Sequence, residues 1–277
     1  MEPAATWREV GPVGMVPEHQ PHRSHHGELQ GMLACIAAPE NRARLAPRNR
    51  LLMALPPEEL RRLRPHLEPV TLPQRKVLYE PDEPLTRIYL IQTGVVSLVA
   101  VFEDGTTVEM ASAGREGMVG VAVLLGGDSA LGCYVVQEPG SALAVEVSRF
   151  RAVLRECPKL RTACEAHAQA FCAQLLQNVA CNAAHTVERR CARRLLMSHD
   201  RSDGDTFPLT QELLAEMLGV RRSTVTLIDC ALQKAGLIQY HRGAITVVDR
   251  RGLEAAACEC YRVIRDRYED LLPRPFA

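Results

Sequence analysis

Hydrogen-bond donors suited to nucleic acid are concentrated at the start of a short helical pattern near the C-terminus. These donors are Arg221, Arg222, Ser223, Thr224 and Thr226. An arginine can donate two parallel hydrogen bonds to O6 and N7 of guanine, and short hydroxyl side chains can reach bases or phosphates. Such contacts require the donors to lie on an exposed face, so the elements that carry them decide whether this chemistry is available.

The segment 209–248 predicts two short helices joined by a tight turn and followed by a hairpin. In the first helix (LTQELLAEML) Thr210 suits the N-cap, and Gly219 suits the left-handed residue that ends the helix. The second helix (RRSTVTLIDCALQKAG) is closed by Gly236, and the hairpin (LIQYHRGAITVV) turns at Gly243. Apolar residues at helical spacing mark the buried faces, namely Leu213, Leu214, Met217 and Leu218 in the first helix and Val225, Ile228, Leu232 and Ala235 in the second.

This pattern is typical of a winged helix-turn-helix, whose second helix enters the major groove of DNA with its N-terminus first. We expect Thr210 and Gln211, at the start of the first helix, to contact the DNA backbone. His241 and Arg242 are predicted at the hairpin tip, where Arg242 would also contact the backbone. The alternative is a helical hairpin whose charges are only solvated. It is disfavoured because the turn glycine, the apolar spacing, the basic first turn and the hairpin all agree.

The run LTQELLAEMLGVRRSTV…LQKAGLI resembles the DNA-binding domain of Crp/Fnr-type bacterial transcription regulators, and with the upstream half the resemblance covers about residues 48–272. It implies an α+β fold with an N-terminal antiparallel, jelly-roll-like β-roll sensor, a long dimerisation helix and a C-terminal winged helix-turn-helix. Many members begin the second helix with Ser, Arg, Glu and Thr, where this chain has Arg221, Arg222, Ser223 and Thr224. Arg222 and Thr224 carry over as base-reading and phosphate-contacting candidates. Because Ser223 replaces the glutamate, we expect a different preferred DNA sequence.

The middle of the chain predicts an antiparallel roll or barrel, because several β-rich runs are separated by turn residues. Two long runs flank Asp104-Gly105, which predicts a hairpin, and Gly94 predicts a bend or turn in the first run. Two further strands are expected around Pro139-Gly140. Segments such as YLIQTG, EDGTTVE and VSRFRAVL resemble the β-roll of cyclic-nucleotide-binding domains.

Five regions are therefore expected along the chain. They are a mobile tail (1–47), a sensor domain (48–157), a dimerisation helix (158–185), a winged helix-turn-helix domain (186–250) and a C-terminal helix (251–277). The long helix shows two stripes, one of Leu160, Cys164, His167, Phe171 and Asn178 and one of Ala168, Cys172, Leu175, Val179 and Asn182. Two stripes suit a helix between its own β-roll and a partner helix, although one broad buried face in a monomer is the alternative.

The segment GREGMVGVAVLLGGDSALGCYVV lies where the resemblance places a phosphate-binding cassette. A cyclic nucleotide needs a glutamate for the ribose and an arginine for the phosphate. Val121 stands at the expected glutamate position, and the arginine is expected near Ala130 or Leu131. We therefore expect no cyclic AMP binding of the usual kind. The glycines of this segment suit turns, and the candidates for contacting an effector of unknown identity are Gly117, Gly120 and Ser129.

The ten cysteines form no regular disulfide framework, and the tail holds only Cys35, so a cluster of N-terminal iron–sulfur ligands is not predicted. Cys181 with His185, and Cys164 with His167, could each share a metal. Two ligands are weak evidence, because structural zinc sites usually have four. The residues predict buried, apolar cysteines, with no metal and no cofactor. A histidine-rich tail segment (HQPHRSHHG) is interpreted as polar and disordered.

Composition and motifs exclude other classes. There is no apolar run of about 18 residues, which predicts a cytoplasmic protein without a membrane partner. No P-loop, H-E-x-x-H or G-x-S-x-G motif is present, so we expect no enzyme. The expected partners are double-stranded DNA, a second copy of the chain and RNA polymerase. The alternative is a ligand- or redox-sensing module whose helix-turn-helix serves protein contacts.

Overall fold

Aliphatic and β-branched residues dominate the chain from residue 68 to residue 146, and this part forms a six-stranded antiparallel sheet in the computed structural model, which describes residues 47–272. The strands are β1 (Glu68–Leu72), β2 (Val77–Tyr79), β3 (Arg87–Val101), β4 (Thr107–Ala113), β5 (Met118–Val119) and β6 (Cys133–Glu146). They follow the order β1-β6-β3-β4, with β2 paired to β6 and β5 paired to β3. Two short helices, α1 (Arg50–Met53) and α2 (Pro57–Leu63), precede the sheet. Residues 1–46 of the tail that the sequence predicts to be mobile, with the histidine-rich segment, lie outside the described residues.

The hairpin predicted around Asp104-Gly105 is confirmed, since β3 and β4 pair antiparallel on either side of it. The two strands predicted around Pro139-Gly140 are wrong, because β6 continues through this dipeptide as one strand. The pairing of β3 with β6 shifts register here, where Gly94 has a left-handed φ of 81°. A Cβ atom on Gly140 would collide with the carbonyl of Thr93. Pro139-Gly140 therefore lies where β6 and β3 bend together, and at this bend the sheet curls into a roll.

A single long helix, α4 (Pro158–Ala184), follows the short α3 (Val147–Glu156) and confirms the predicted long helix. At about 1.5 Å per residue it spans about 40 Å. All five residues of its first predicted stripe are buried. In the second stripe Ala168 is buried and Leu175 half-buried, whereas Cys172, Val179 and Asn182 are exposed. Next to this stripe, Leu176 leaves 74% of its surface exposed. One side of α4 is thus covered by the chain itself, and the other is an open apolar surface.

The C-terminal part combines helices with a three-stranded sheet of order β7-β9-β8. Its elements are α5 (Val187–Arg201), β7 (Thr206–Pro208), α6 (Gln211–Leu218), α7 (Arg222–Lys234), β8 (Ile238–His241), β9 (Ala244–Val247), α8 (Arg250–Ala256) and α9 (Cys260–Leu271). The polar composition of residues 199–207 (HDRSDGDTF) predicts a connector, but α5 continues to Arg201 and Phe207 lies in a strand. Asp249 has a side chain that suits an N-cap, and it caps α8 by accepting from the N–H of Gly252. The boundaries between domains stay predictions.

The single C-terminal helix predicted after residue 250 is wrong, because the chain forms α8 and α9 with a break between them. Ala257 has extended backbone, with φ −74° and ψ 163°. This turn brings Cys258 into the interior against Cys181 of α4. Within residues 47–272, we find no helix with the length and apolar character required to cross a membrane.

Buried ion pairs fix α5 against the roll. Arg194 of α5 pairs with Glu109 of β4 at 3.2 Å, and Arg201 pairs with Glu116 at 2.7 Å. Both arginines also donate to the hydroxyl of Ser112, at 3.2 and 2.9 Å. The first helix of the C-terminal part therefore shares a polar interior with strand β4 and the turn after it, which fixes the position of this helix on the roll.

Candidate nucleic-acid interface

Helix α6 begins and ends as its sequence predicts. Thr210 is the N-cap, because its Oγ1 accepts from the N–H of Leu213 at 3.2 Å. Gly219 has the left-handed backbone (φ 65°) that ends the helix. The predicted apolar face is buried in full. A tight turn, Gly219–Arg221, then leads directly into α7.

Helix α7 begins at Arg222 and buries Val225, Ile228 and Leu232. The prediction that Ala235 faces inward is wrong. The helix ends at Lys234, and Ala235 is its exposed C-cap. Gly236 follows with a left-handed φ of 74°. The inward face of α7 is therefore one position shorter than its periodicity predicts, and the N-terminal end of the helix remains open to solvent.

The predicted donors differ in exposure. Arg221, Arg222 and Ser223 are exposed, whereas Thr224 and Thr226 are half-buried. The Nε atom of Arg222 lies 3.0 Å from Oε1 of Glu212 in α6, in a pair that is itself largely exposed. Sequence reasoning missed Glu212, because a pair between two helices leaves no spacing signal. The carboxylate holds the Arg222 guanidinium at the surface, where a base or a phosphate could compete for it.

Gln211 and Thr226 connect the two helices. The Thr226 hydroxyl donates to Oε1 of Gln211 at 2.9 Å, and Nε2 of Gln211 donates to Asp229 at 2.9 Å. Asp229 is fully buried, and this burial raises the pKa of its carboxyl. Both polar side chains are thus engaged within the helix pair. Their predicted contacts with DNA stay predictions, and such contacts would require these hydrogen bonds to be shared or exchanged.

The wing is a two-residue turn between β8 and β9. Arg242 (φ 48°) and Gly243 (φ 82°) both have left-handed backbone, which is typical of such hairpins. Arg242 is exposed at the tip, and His241 is the last residue of β8 rather than part of the turn. The N–H of Leu209 donates to the carbonyl of Gly243 at 2.9 Å. The wing therefore adjoins Thr210, and the two form one surface.

The three effector candidates occupy different environments. Gly117 packs against His167 of α4 so closely that a Cβ atom would collide with the imidazole. Gly120 has a left-handed φ of 101°, and a Cβ there would lie 2.5 Å from Ile88. Ser129 is exposed, and its backbone forms an isolated antiparallel β-bridge with Pro84. Two of the three positions thus serve close packing, and contact with an effector stays a prediction for all three.

Sequence reasoning also missed the partners of Cys181 and His185. Cys258 and Cys260 join them, and their four potential ligand atoms lie within 4.8 Å of one another. The C-x-C spacing of Cys258 and Cys260 was the sequence signal that could have identified them as potential metal ligands. The other predicted pair is different, because Nε2 of His167 accepts from the N–H of Met118 at 3.2 Å. Burial also raises the pKa of the Cys164 thiol to about 12.

These elements define a class: a winged helix-turn-helix protein with basic residues at the start of the second helix, joined to an antiparallel β-roll through a long helix. Comparison with known proteins agrees. A Crp-like helix-turn-helix domain matches residues 189–256, and a cyclic nucleotide-binding domain matches residues 69–157. The chain belongs to the Crp/Fnr family of transcriptional regulators.

Individual relatives support this assignment. The chain is 28% identical over 184 residues to the global nitrogen regulator of Synechococcus elongatus, covering 62% of this chain and 82% of the relative. The structure of FixK2 from Bradyrhizobium japonicum matches with a TM-score of 0.61 at 18% identity, over 69% of this chain and 98% of that one. A CRP-family regulator from Thermus thermophilus matches with a TM-score of 0.58 at 18% identity, over 68% and 96% of the two chains. The two structural matches show a shared fold.

Proposed function

We propose that this chain is a non-catalytic transcription regulator that binds a palindromic DNA site as a homodimer and acts together with RNA polymerase. The observation that carries the proposal is the exposed N-terminal end of α7, with Arg221, Arg222 and Ser223 open to solvent. In helix-turn-helix proteins this end of the second helix reads base edges in the major groove. Arg222 reads a base, Thr224 contacts a phosphate or a base, and Thr210 and Arg242 contact the DNA backbone.

The open face of α4 supports the homodimer. Leu176 and Val179 expose 74% and 72% of their surfaces on one side of the helix. Pairing this face with the same face of a second copy would give a twofold dimer, whose two recognition helices would reach half-sites about one DNA turn apart. A palindromic site follows from that symmetry.

The sensor domain differs from one that binds cyclic AMP in the usual way. Val121 stands where the ribose-binding glutamate is expected, and it is 1% exposed. Ala130, near the expected arginine, is buried as well, and Leu131 has no charge. An apolar pair of positions cannot supply the charge-assisted contacts that a cyclic phosphate requires. The effector therefore belongs to another chemical class, or the protein binds DNA without one.

Selection from random duplex DNA with the purified chain, at physiological salt and without added ligand, tests this function. We expect enrichment of a palindrome whose half-sites lie about one helical turn apart. Enrichment of a single half-site would contradict the dimer. If no site is enriched with or without candidate effectors, DNA reading is refuted. The alternative, a sensing module whose helix-turn-helix contacts proteins, would then stand.

A further inference from the structure

Three cysteines and one histidine converge where the end of the long helix meets the C-terminal helices. Cys181 lies in the last turn of α4, and His185 is the C-cap residue of that helix. Cys258 lies in the break between α8 and α9, and Cys260 is the first residue of α9. The sulfurs of Cys181 and Cys258 are 3.5 Å apart, and Sγ of Cys260 lies 3.5 Å from Nδ1 of His185. Two segments distant in sequence thus supply two potential ligands each.

The geometry of this cluster fits a tetrahedral metal ion. Zinc binds cysteine sulfur at about 2.3 Å and histidine nitrogen at about 2.0–2.1 Å, and structural sites commonly use three cysteines and one histidine. In a tetrahedron with these bond lengths, two sulfurs lie about 3.8 Å apart, and a sulfur and a nitrogen about 3.6 Å apart. One sulfur–sulfur and one sulfur–nitrogen separation, each 3.5 Å, are close to these values, and all four ligand atoms lie within 4.8 Å of one another.

The surroundings of the cluster are those of a metal centre. Nε2 of His185 lies 3.2 Å from the carboxylate of Glu259, while its Nδ1 faces the sulfurs. A carboxylate behind the distal nitrogen is the usual means of orienting a metal-binding histidine. Nε2 of Gln177 donates to Sγ of Cys260 at 3.0 Å, and such a bond stabilises a thiolate. All three cysteines are at most 2% exposed.

We propose that Cys181, His185, Cys258 and Cys260 bind one Zn²⁺ ion. The ion would connect the end of α4 to the start of α9. Because α5 begins two residues after His185, the ion would also fix the joint between the long helix and the DNA-binding part. Three thiolates and one Zn²⁺ leave a net charge of −1 at the site.

The first test measures the zinc content of the full chain after purification in a reducing agent. Inductively coupled plasma mass spectrometry and native mass spectrometry give the number of zinc ions per chain. We expect one zinc per chain. Cys258→Ser and Cys181→Ser should lose it, whereas Cys172→Ser should retain it, because Cys172 is an exposed cysteine on the same helix as Cys181. Equal zinc content in Cys172→Ser and Cys258→Ser would overturn the proposal. A bound iron–sulfur cluster in place of zinc would overturn it too.

Two further measurements keep the proposal testable if the cysteine variants misfold. Co²⁺ added to the zinc-free wild type should give the absorption of a tetrahedral, thiolate-bound cobalt ion, and the spectrum of an octahedral ion would refute the site. Glu259→Gln leaves every ligand in place. Judged by competition with a chromophoric chelator, it should weaken zinc binding about 10–100-fold, the usual effect of removing such a carboxylate. Unchanged affinity would refute the orienting contact between Glu259 and His185 on which the proposal relies.

Discussion

Replacing Glu116 with glutamine tests the buried contact between the roll and the first helix of the DNA-binding part. Oε1 of Glu116 accepts from Nη2 of Arg201 at 2.7 Å and from its Nε at 3.0 Å. The two side chains are 0% and 3% exposed. Burial, the largest effect, raises the pKa of Glu116, but the charge and hydrogen bonds of Arg201 outweigh it and hold the pKa below its ordinary value. The carboxylate is therefore ionised at neutral pH.

The variant leaves the Arg201 guanidinium buried without its counter-ion. Removing one partner of a buried pair costs about 3–5 kcal/mol, because the remaining charge stays desolvated. For a chain of this size, about 1 kcal/mol lowers the unfolding midpoint by about 2–4 °C. We therefore expect Glu116→Gln to lower the midpoint by about 6–20 °C at pH 7.5, measured by circular dichroism and calorimetry.

Glu156→Gln is the matched control. Glu156 pairs with Arg62 at 3.2 Å, and the two side chains are 65% and 59% exposed. Such exposed pairs contribute less than about 1 kcal/mol, because water and salt screen them. We expect a midpoint shift of at most about 4 °C. Equal shifts for Glu116→Gln and Glu156→Gln would refute the reasoning, since burial would then make no difference to the pair.

Three other predictions follow from the same structure. Arg222→Ala should cost about 1–3 kcal/mol in DNA affinity and relax specificity at one base pair per half-site. Arg242→Ala should weaken binding to all sequences evenly and flatten the salt dependence of binding. Equal losses of affinity on all sequences for Arg222→Ala would contradict its base-reading role. Burial lowers the pKa of His167 from 6.5 to about 4. The unfolded chain then binds a proton at a higher pH than the folded one, so stability should fall by up to about 1.4 kcal/mol per unit as pH drops from 6.5 to 4. Denaturant melts of His167→Gln should show a flatter profile over that range, and an unchanged slope would assign the effect to another group. Leu176→Asp should convert the dimer into monomers in sedimentation experiments and reduce affinity for the full palindrome. Leu227→Asp, at an exposed leucine of α7, is the control and should remain dimeric. A dimeric Leu176→Asp chain would exclude this face of α4 as the interface.

Features governed by neighbouring residues could be predicted from the sequence. The Thr210 cap, the Gly219 turn and the hairpin at Asp104-Gly105 each depend on a few adjacent residues, and each is confirmed. Pro139-Gly140 shows where local rules stop. The same dipeptide is compatible with a turn or with a bend. It forms a bend here because the strand that contains it stays paired with β3 on both sides of the dipeptide.

Contacts between distant segments could not be predicted in this way. Glu212 and Arg222 lie in different helices, and no periodicity relates them. The C-terminal break that brings Cys258 and Cys260 to α4 lies at the extended backbone of Ala257. The sequence predicts one helix there, because apolar residues keep helical spacing across the break, namely Leu253, Ala257, Tyr261, Ile264 and Tyr268. The residues that could bind DNA were therefore accessible from the sequence, and the groups that hold them in place were not.

The ion pairs made by strand β4 and the turn after it have a consequence for how this protein could be recombined with others. Glu109 and Glu116 belong to the roll, yet they neutralise Arg194 and Arg201 within the other half of the molecule. A gene fusion that grafted residues 186–272 onto a foreign sensor would separate both arginines from their carboxylates. We therefore expect the C-terminal half to lose stability in such a fusion unless the roll is transferred with it.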